Sequence, residues 1–175
     1  QISQPLADLI ATGLSYSEAT QGAFDIAIAP LTSLWNFTAE NPIPPEYSAI
    51  HTALSSCGYQ HVNLQDRIIT FDSPDIQIDL GAVAKGYIAD RIKEYLVSQG
   101  VESGIINLGG NVLCIGKKPD GTPFKIGIQK PFADRNETEA IMDITNKSVV
   151  SSGIYERCFQ YNGKSYHHIL NPKTG

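Results

Sequence analysis

Paired cysteines are missing from this chain. Its three, Cys57, Cys114 and Cys158, are odd in number and far apart, which suits neither a disulfide framework nor the close pairs that hold zinc. They read as small apolar residues of the interior, and they leave the redox compartment open. A basic excess is missing too. With 13 Lys and Arg against 18 Asp and Glu, no clustered positive surface is available for nucleic acid, and no such partner is expected. Uninterrupted apolar runs last only a few residues, far short of the roughly 20 needed to cross a bilayer. No basic segment followed by an apolar block opens the chain, yet its first residue is Gln1 rather than Met, so export through a signal or lipid anchor stays open. There is no internal repeat and no low-complexity tract.

What is present is a 42% apolar composition over 175 residues, enough for one globular unit with a real core. Leu6, Leu9, Ile10 and Leu14 fall on one helical stripe, with Pro5 suited to the first turn and Gly13 a weak point late in the helix. The segment 24–37, FDIAIAPLTSLWNF, is apolar on almost every side and is expected to be buried. Pro42, Pro44 and Pro45 break the chain before a second amphipathic helix with Tyr47, Ile50, Leu54 and Cys57, stopped by Gly58. Two short strands are expected near 60–64 and 67–71.

Residues 76–79, IQID, read as a strand running through Gly81 into a helix with Val83, Tyr87, Ile88, Ile92, Tyr95 and Leu96 on one face, ended by Gly100. The pattern then turns to β: 104–108, 112–115, 124–129, 140–145 and 148–152. Asn162-Gly163 between two β-rich runs predicts a two-residue hairpin turn. Counting outward sets Tyr161 against Lys164, Phe159 against Tyr166 and Arg157 against His168, with His167 on the opposite face. Helices first and strands after predict an α+β domain, a mixed or antiparallel sheet covered by helices.

Three segments carry candidate chemistry. In Asp79-Leu80-Gly81-Ala82-Val83-Ala84-Lys85-Gly86 a helix N-terminus offers backbone N–H groups to a phosphate. Asp79 suits a nucleotide hydroxyl and Lys85 a pyrophosphate; a capping aspartate and a solvated lysine fit the same residues. Asn107-Leu108-Gly109-Gly110-Asn111 lets a ligand or another backbone approach closely, and a tight hairpin turn explains it as well. The third segment holds Ser151, Ser152, Gly153, Tyr155, Arg157 and His168, ending in Asn171-Pro172-Lys173-Thr174-Gly175. A guanidinium beside the His168 imidazole favours the neutral ring that a general base requires, and the same guanidinium can grip a phosphate oxygen. A surface hairpin that merely pairs Arg with His is the alternative. His51 and His61 read as solvated or core-edge residues.

Taken together, TQGAFDIAIAPLTSLWNF at 20–37, IDLGAVAKGYIAD at 78–90, INLGGNVLCIG at 106–116, SSGIYER at 151–157 and HHILNPKTG at 167–175 resemble the ApbE family of flavin transferases. The resemblance implies an ApbE-like α+β fold over 1–175. It implies a magnesium-dependent transfer of FMN from FAD to a Ser or Thr hydroxyl of a target protein, as a phosphoester, releasing AMP. By position Asp79, Lys85, Ser152, Gly153 and Arg157 match flavin-nucleotide contacts, and Thr20, Gly22, Ala23 and Phe24 match the loop against the cofactor. Ala82 matches a carbonyl ligand of the metal, and His168 the base that also faces the cofactor. The resemblance further implies an exported, lipid-anchored protein at the outer face of the cytoplasmic membrane, whose target is a subunit of a membrane redox complex. Two departures stand out: Asn171 replaces the usual Asp, and Gly175 precedes the family's later Asp and Thr, which complete the metal site. An FAD pyrophosphatase, with water as acceptor, and a flavin-binding lipoprotein without turnover are the competing readings.

Overall fold

The computed structural model describes residues 1–134 and 137–175. They pack as two compact units, one made of Gln1–Val83 with Glu156–Gly175, the other of Ala84–Tyr155.

The first unit opens with helix α1 (Gln4–Ala19), which has a proline in its first turn where the missing N–H is no loss. Its inner stripe is Ala7, Ile10, Gly13 and Ser17, whereas Leu6 is 39% exposed, so the packed face is rotated from the expected one. Gly13 is no weak point. A Cβ there would meet the Ile26 side chain at 2.7 Å, and the absence of a side chain lets the 24–28 segment lie directly on the helix. Ile26, Ala27 and Leu31 are fully buried, as the apolar run predicts, and the short helix α2 (Ala29–Thr32) sits within it. Helix α3 (Tyr47–Leu54) follows, its Tyr47 pointing outward. It ends at Leu54 with Ser55 in the capping position, short of the expected Cys57 and Gly58. Gly58 instead precedes the next turn at φ +126°, a value open to glycine.

A single 3₁₀ turn (Tyr59–His61) leads into the antiparallel pair β1 (Val62–Gln65) and β2 (Ile68–Phe71), joined through Asp66 and Arg67, both at positive φ. Ala27, Val62 and Ile76 form a small core with Leu14, Ile69 and Ile78 against it. Residues 76–79 join no ladder, contrary to the expected strand. Alternation of apolar residues made them look paired, but in place of a ladder the Asp79 N–H donates to the Ile26 carbonyl at 2.7 Å.

Helix α4 (Gly81–Ser98) starts in the first unit and continues into the second. It ends in a left-handed Gly100, with the Val101 N–H bonding back to the Leu96 carbonyl at 3.0 Å, the closing bond of a Schellman motif. Its packed face is Ala89, Ile92 and Leu96 on Ile106, Leu113 and Ile115. Ile88 and Tyr95, placed on that face by sequence, are exposed.

The second unit is built on antiparallel strands. Strands β3 (Gly104–Leu108), β4 (Asn111–Ile115) and β7 (Ser148–Val149) form a sheet in that order, and β5 (Phe124–Gln129) pairs with β6 (Thr138–Ile144). Strand β4 is covered on both faces: Leu113 and Ile115 join the helix side, while Cys114 packs with Phe124 and Ile144. Of the other two thiols, Cys57 is partly buried and Cys158 exposed, so the expectation of three interior cysteines holds for Cys114 alone. Cys158 opens a hairpin strand beside Phe159, whose side chain takes the inner face.

The chain closes, in the first unit, with the hairpin β8 (Cys158–Tyr161) and β9 (Lys164–His167) around Asn162-Gly163, in the register counted from the sequence. Phe159 and Tyr166 stack at 5.3 Å and lie against Trp35, with Phe37 beside them. Aromatic packing of this kind adds about 0.5–1.5 kcal/mol per pair beyond simple burial, and it holds the ribbon on the 24–37 segment.

Candidate functional site

In the first unit, α1 runs into a closed loop at Thr20–Phe24. The Thr20 hydroxyl donates to the Tyr16 carbonyl at 2.8 Å and accepts the Phe24 N–H at 3.0 Å. Gly22 returns its N–H to the Ser17 carbonyl at 2.8 Å, and Ala23 to the Thr20 carbonyl at 3.1 Å. Gln21 and Gly22 both adopt positive φ, which the tight reversal requires. A Cβ on Gly22 would stand 3.7 Å from the Tyr59 ring, so the loop rests on the turn that follows α3.

Asp79 is brought to this loop through the backbone bond from its N–H to Ile26. Its Oδ1 accepts the Gly81 N–H at 2.8 Å, the capping role that competes with a ligand role. A carboxylate has a second oxygen, and that of Asp79 meets no protein donor among the described residues. Ala82 stands exposed in the first turn of α4. One short hydrogen bond thus ties Asp79 to Ile26, two residues beyond the Thr20–Phe24 loop.

Arg157 and His168 meet at the open end of the last hairpin, but not as the sequence implied. The His168 N–H donates to the Arg157 carbonyl at 3.1 Å, and the ring Nδ1 stands 3.4 Å from that same oxygen. The group against the imidazole is a backbone carbonyl, and the guanidinium makes no hydrogen bond or ion pair among the described residues. A carbonyl acceptor favours the tautomer with its proton on Nδ1, which leaves Nε2 with the lone pair of a base. This replaces the argument from a neighbouring positive charge. His167 lies on the other face of the ribbon, with a buried Nδ1 that meets no hydrogen-bond partner among the described residues.

Asn171 holds the final turn. Its Oδ1 accepts the Lys173 N–H at 2.8 Å, and its carbonyl accepts the Thr174 and Gly175 N–H groups. The side chain acts here through one oxygen, and asparagine supplies that oxygen as well as aspartate does. Gly175 is packed so closely that a Cβ would meet Ile50 and Leu31.

In the second unit, Lys85 and the Gly-Gly bend come together: the Lys85 ammonium donates to the Gly109 carbonyl at 3.4 Å. Gly109 and Gly110 form a two-residue turn at φ +59° and +87°, with the Gly110 N–H on the Asn107 side chain and open space where a Cβ would stand. Two positive φ values suit a type I′ hairpin, so the turn explains the glycines. Ser152 and Gly153 lie in an irregular stretch after β7, and no hydrogen bond among the described residues links them to Lys85. Gly153 is overlain by the Tyr155 ring, 2.7 Å from where a Cβ would stand.

Sequence reasoning passed over Asp25. It is 7% exposed, and its carboxylate accepts the Ala27 N–H at 2.7 Å and the Tyr59 N–H at 3.1 Å. Burial pushes its carboxyl above the usual value, opposed by those two N–H groups and by His61. The signal was available: Asp25 is the one charged residue in the 24–37 run, and a charge inside an apolar segment needs partners.

No three His, Cys, Asp or Glu side chains converge on a metal position among the described residues. Ala82 brings only a carbonyl oxygen and Asp79 a carboxylate, whereas magnesium asks for six near-octahedral oxygens. These residues do not fit the ion unaided. Two hollows mark the first unit, one of about 400 Å³ bordered by Leu34, Asn36, Pro42 and Glu46, the other of about 160 Å³ beside Asn63, Gln65 and Thr70. Neither contains a candidate residue.

Comparison with known proteins adds the family. The ApbE family model matches residues 1–175. An FAD:protein FMN transferase of Klebsiella pneumoniae (strain 342) is 40% identical over 99% of this chain and 54% of its own length. One of Treponema pallidum (strain Nichols) is 30% identical over 99% of this chain and 52% of its own. Among solved structures, the ApbE protein of Thermotoga maritima superposes with a TM-score of 0.89 at 34% identity, covering 99% of this chain and 57% of that one. The flavin transferase ApbE of Vibrio cholerae gives 0.85 at 28%, covering 99% and 55%. The chain thus spans about half the length of the relatives it matches, and by sequence and fold alike it belongs to the ApbE family.

Proposed function

We propose that the whole protein is an FAD:protein FMN transferase, and that His168 is its general base. The observation that carries this reading is the His168 ring set against the Arg157 carbonyl, in a chain that matches named FAD:protein FMN transferases over almost its full length. With the proton kept on Nδ1, Nε2 takes the proton of an acceptor hydroxyl. The oxygen attacks the FMN-side phosphorus of FAD, a new phosphoester bond forms, and the bond to the AMP phosphate breaks, so that AMP leaves. A positioned base contributes roughly 10²–10⁴-fold to such a step. The Thr20–Phe24 loop and Asp79 are assigned to holding the flavin nucleotide.

Further parts of this reading rest on the family resemblance: a Ser or Thr acceptor in a subunit of a membrane redox complex, export with a lipid anchor, and a magnesium requirement. No described helix is long and apolar enough to cross a membrane. For magnesium, further oxygen ligands beyond Asp79 and Ala82 are required.

The experiment incubates the whole protein with FAD and magnesium, with and without an acceptor protein, and follows AMP release and flavin attached to protein. Acceptor-dependent AMP release with labelling is the expected result, and His168→Ala should abolish both. Acceptor-independent release of FMN and AMP would identify a pyrophosphatase instead; normal labelling by His168→Ala would refute the assignment of the base.

A further inference from the structure

A carboxylate buried in an apolar segment is costly, and the cost has to be offset by what it holds. Asp25 holds two backbone N–H groups at once. Oδ1 takes that of Ala27, two residues on, and Oδ2 takes that of Tyr59, 34 residues away. The first bond alone does not call for a charge, because Asn171 makes the same i to i+2 bond to Lys173 with an amide oxygen. What aspartate adds over asparagine is the second acceptor, and here it is spent on Tyr59.

That bond fastens the turn after α3 to the segment between Phe24 and Ala27. On one side of the segment, the Tyr59 ring lies 3.7 Å from where a Cβ on Gly22 would stand, beside the Thr20–Phe24 loop. On the other, the Ile26 carbonyl, fixed between Asp25 and Ala27, receives the Asp79 N–H. His61 is the ionisable neighbour, its ring 3.2 Å from Asp72. One buried carboxylate therefore sets the backbone on which both the loop and Asp79 depend.

We propose that Asp25 is a positioning residue: acting through the Ala27 and Tyr59 backbones and without touching ligand, it presents the Thr20–Phe24 loop and Asp79 to the flavin nucleotide. The assignment rests on the flavin-transferase reading. Because Asp25 supports the elements assigned to nucleotide binding and not His168, its loss belongs in FAD affinity more than in turnover.

The test uses the whole protein and two readouts, the FAD dissociation constant from quenching of flavin fluorescence and kcat at saturating FAD. Asp25→Asn keeps the bond to Ala27 and turns an amide N–H₂ toward the Tyr59 N–H. The expected result is a dissociation constant raised about ten-fold, the scale set by one hydrogen bond to a charged group, with kcat within about two-fold. Should Asp25→Asn not fold, Tyr59→Pro compared with Tyr59→Ala isolates the same bond. Both remove the ring, only the first removes the N–H, and proline is tolerated at the start of a helical turn. A further affinity loss confined to Tyr59→Pro supports the proposal. An unchanged FAD dissociation constant in Asp25→Asn with a lowered melting temperature, or equal affinities for the two Tyr59 variants, overturns it. Wild-type protein that does not bind FAD at all refutes the transferase reading itself, a different outcome from a wild type that binds and a variant that is unaffected.

Discussion

The Thr20–Phe24 loop and the Gly109–Gly110 bend both reverse the chain beside candidate residues, and they do so by different physics. The first is held by side-chain oxygens: the Thr20 hydroxyl, the Ser17 hydroxyl and the Asp25 carboxylate each take a backbone N–H. The second hangs on a regular ladder, with Leu108 paired to Asn111 and every residue back to Gly104 paired in turn. An irregular loop fastened by buried polar atoms is specific but vulnerable at each fastening atom. A bend on a two-faced strand is insulated from its own residues and depends on the packing beneath it. The comparison teaches that mutational damage in the first unit should track lost hydrogen bonds, and in the second unit lost space.

The sharpest way to break that contrast is at Gly116, which follows β4 at φ +57°, with a Cβ position that would run into the Glu102 backbone oxygen. Gly116→Ala combines left-handed strain with a backbone clash and should cost about 3–5 kcal/mol, read as a lowered midpoint in urea unfolding. In the first unit the corresponding probe is Ser17. It is fully buried, donates to the Gly13 carbonyl at 3.0 Å and accepts the Ile26 N–H at 3.3 Å. Ser17→Ala leaves that N–H without its acceptor and should cost about 1–3 kcal/mol in the same measurement. A neutral Ser17→Ala would mean the first unit is held by apolar packing after all.

The smallest effect concerns pH, and the two units should answer with opposite sign. Burial raises the Asp25 carboxyl above 3.8, so its favourable contribution is complete below 3.8 and is lost as pH rises through the raised folded value. The Thr122 hydroxyl and N–H hold the exposed Asp120 carboxylate below 3.8. Its contribution is present above 3.8 and is lost as pH falls through the depressed value. Unfolding free energies at a series of pH values should therefore show Asp25→Asn gaining on wild type as pH rises from 3.8. The disadvantage of Asp120→Asn should shrink as pH falls below that value. Parallel curves for Asp25→Asn and wild type would show that Asp25 is not held by burial.

Much of this molecule could be read from its residues. Asn162-Gly163 set the last hairpin and its register, because a two-residue turn with positive φ leaves one pairing in which the aromatic residues share a face. The 124–129 strand was legible from its own local pattern. So was the family, through the resemblance carried by the five segments. Less legible was any property that depends on a partner distant in sequence. On α4, Ile92 and Leu96 were placed correctly on the packed face, but Ala89 was missed and the exposed Ile88 and Tyr95 were put there, because apolar side chains surround that helix on more than one side. The 76–79 segment looked like a ladder strand, since alternation records exposure and not the neighbour that supplies the hydrogen bond.

Sequence alone determined the hairpin turn at Asn162-Gly163 and the end of α4 before Gly100, since these follow from the φ values and capping bonds open to residues a few positions apart. Only the tertiary structure decided that Asp25 grips Tyr59, that Ile26 receives Asp79, that Lys85 meets the Gly109 carbonyl, and that the His168 ring faces a carbonyl. Each of those contacts joins atoms 11 to 53 positions apart, and their closure is settled by burial and packing, quantities that no local pattern encodes.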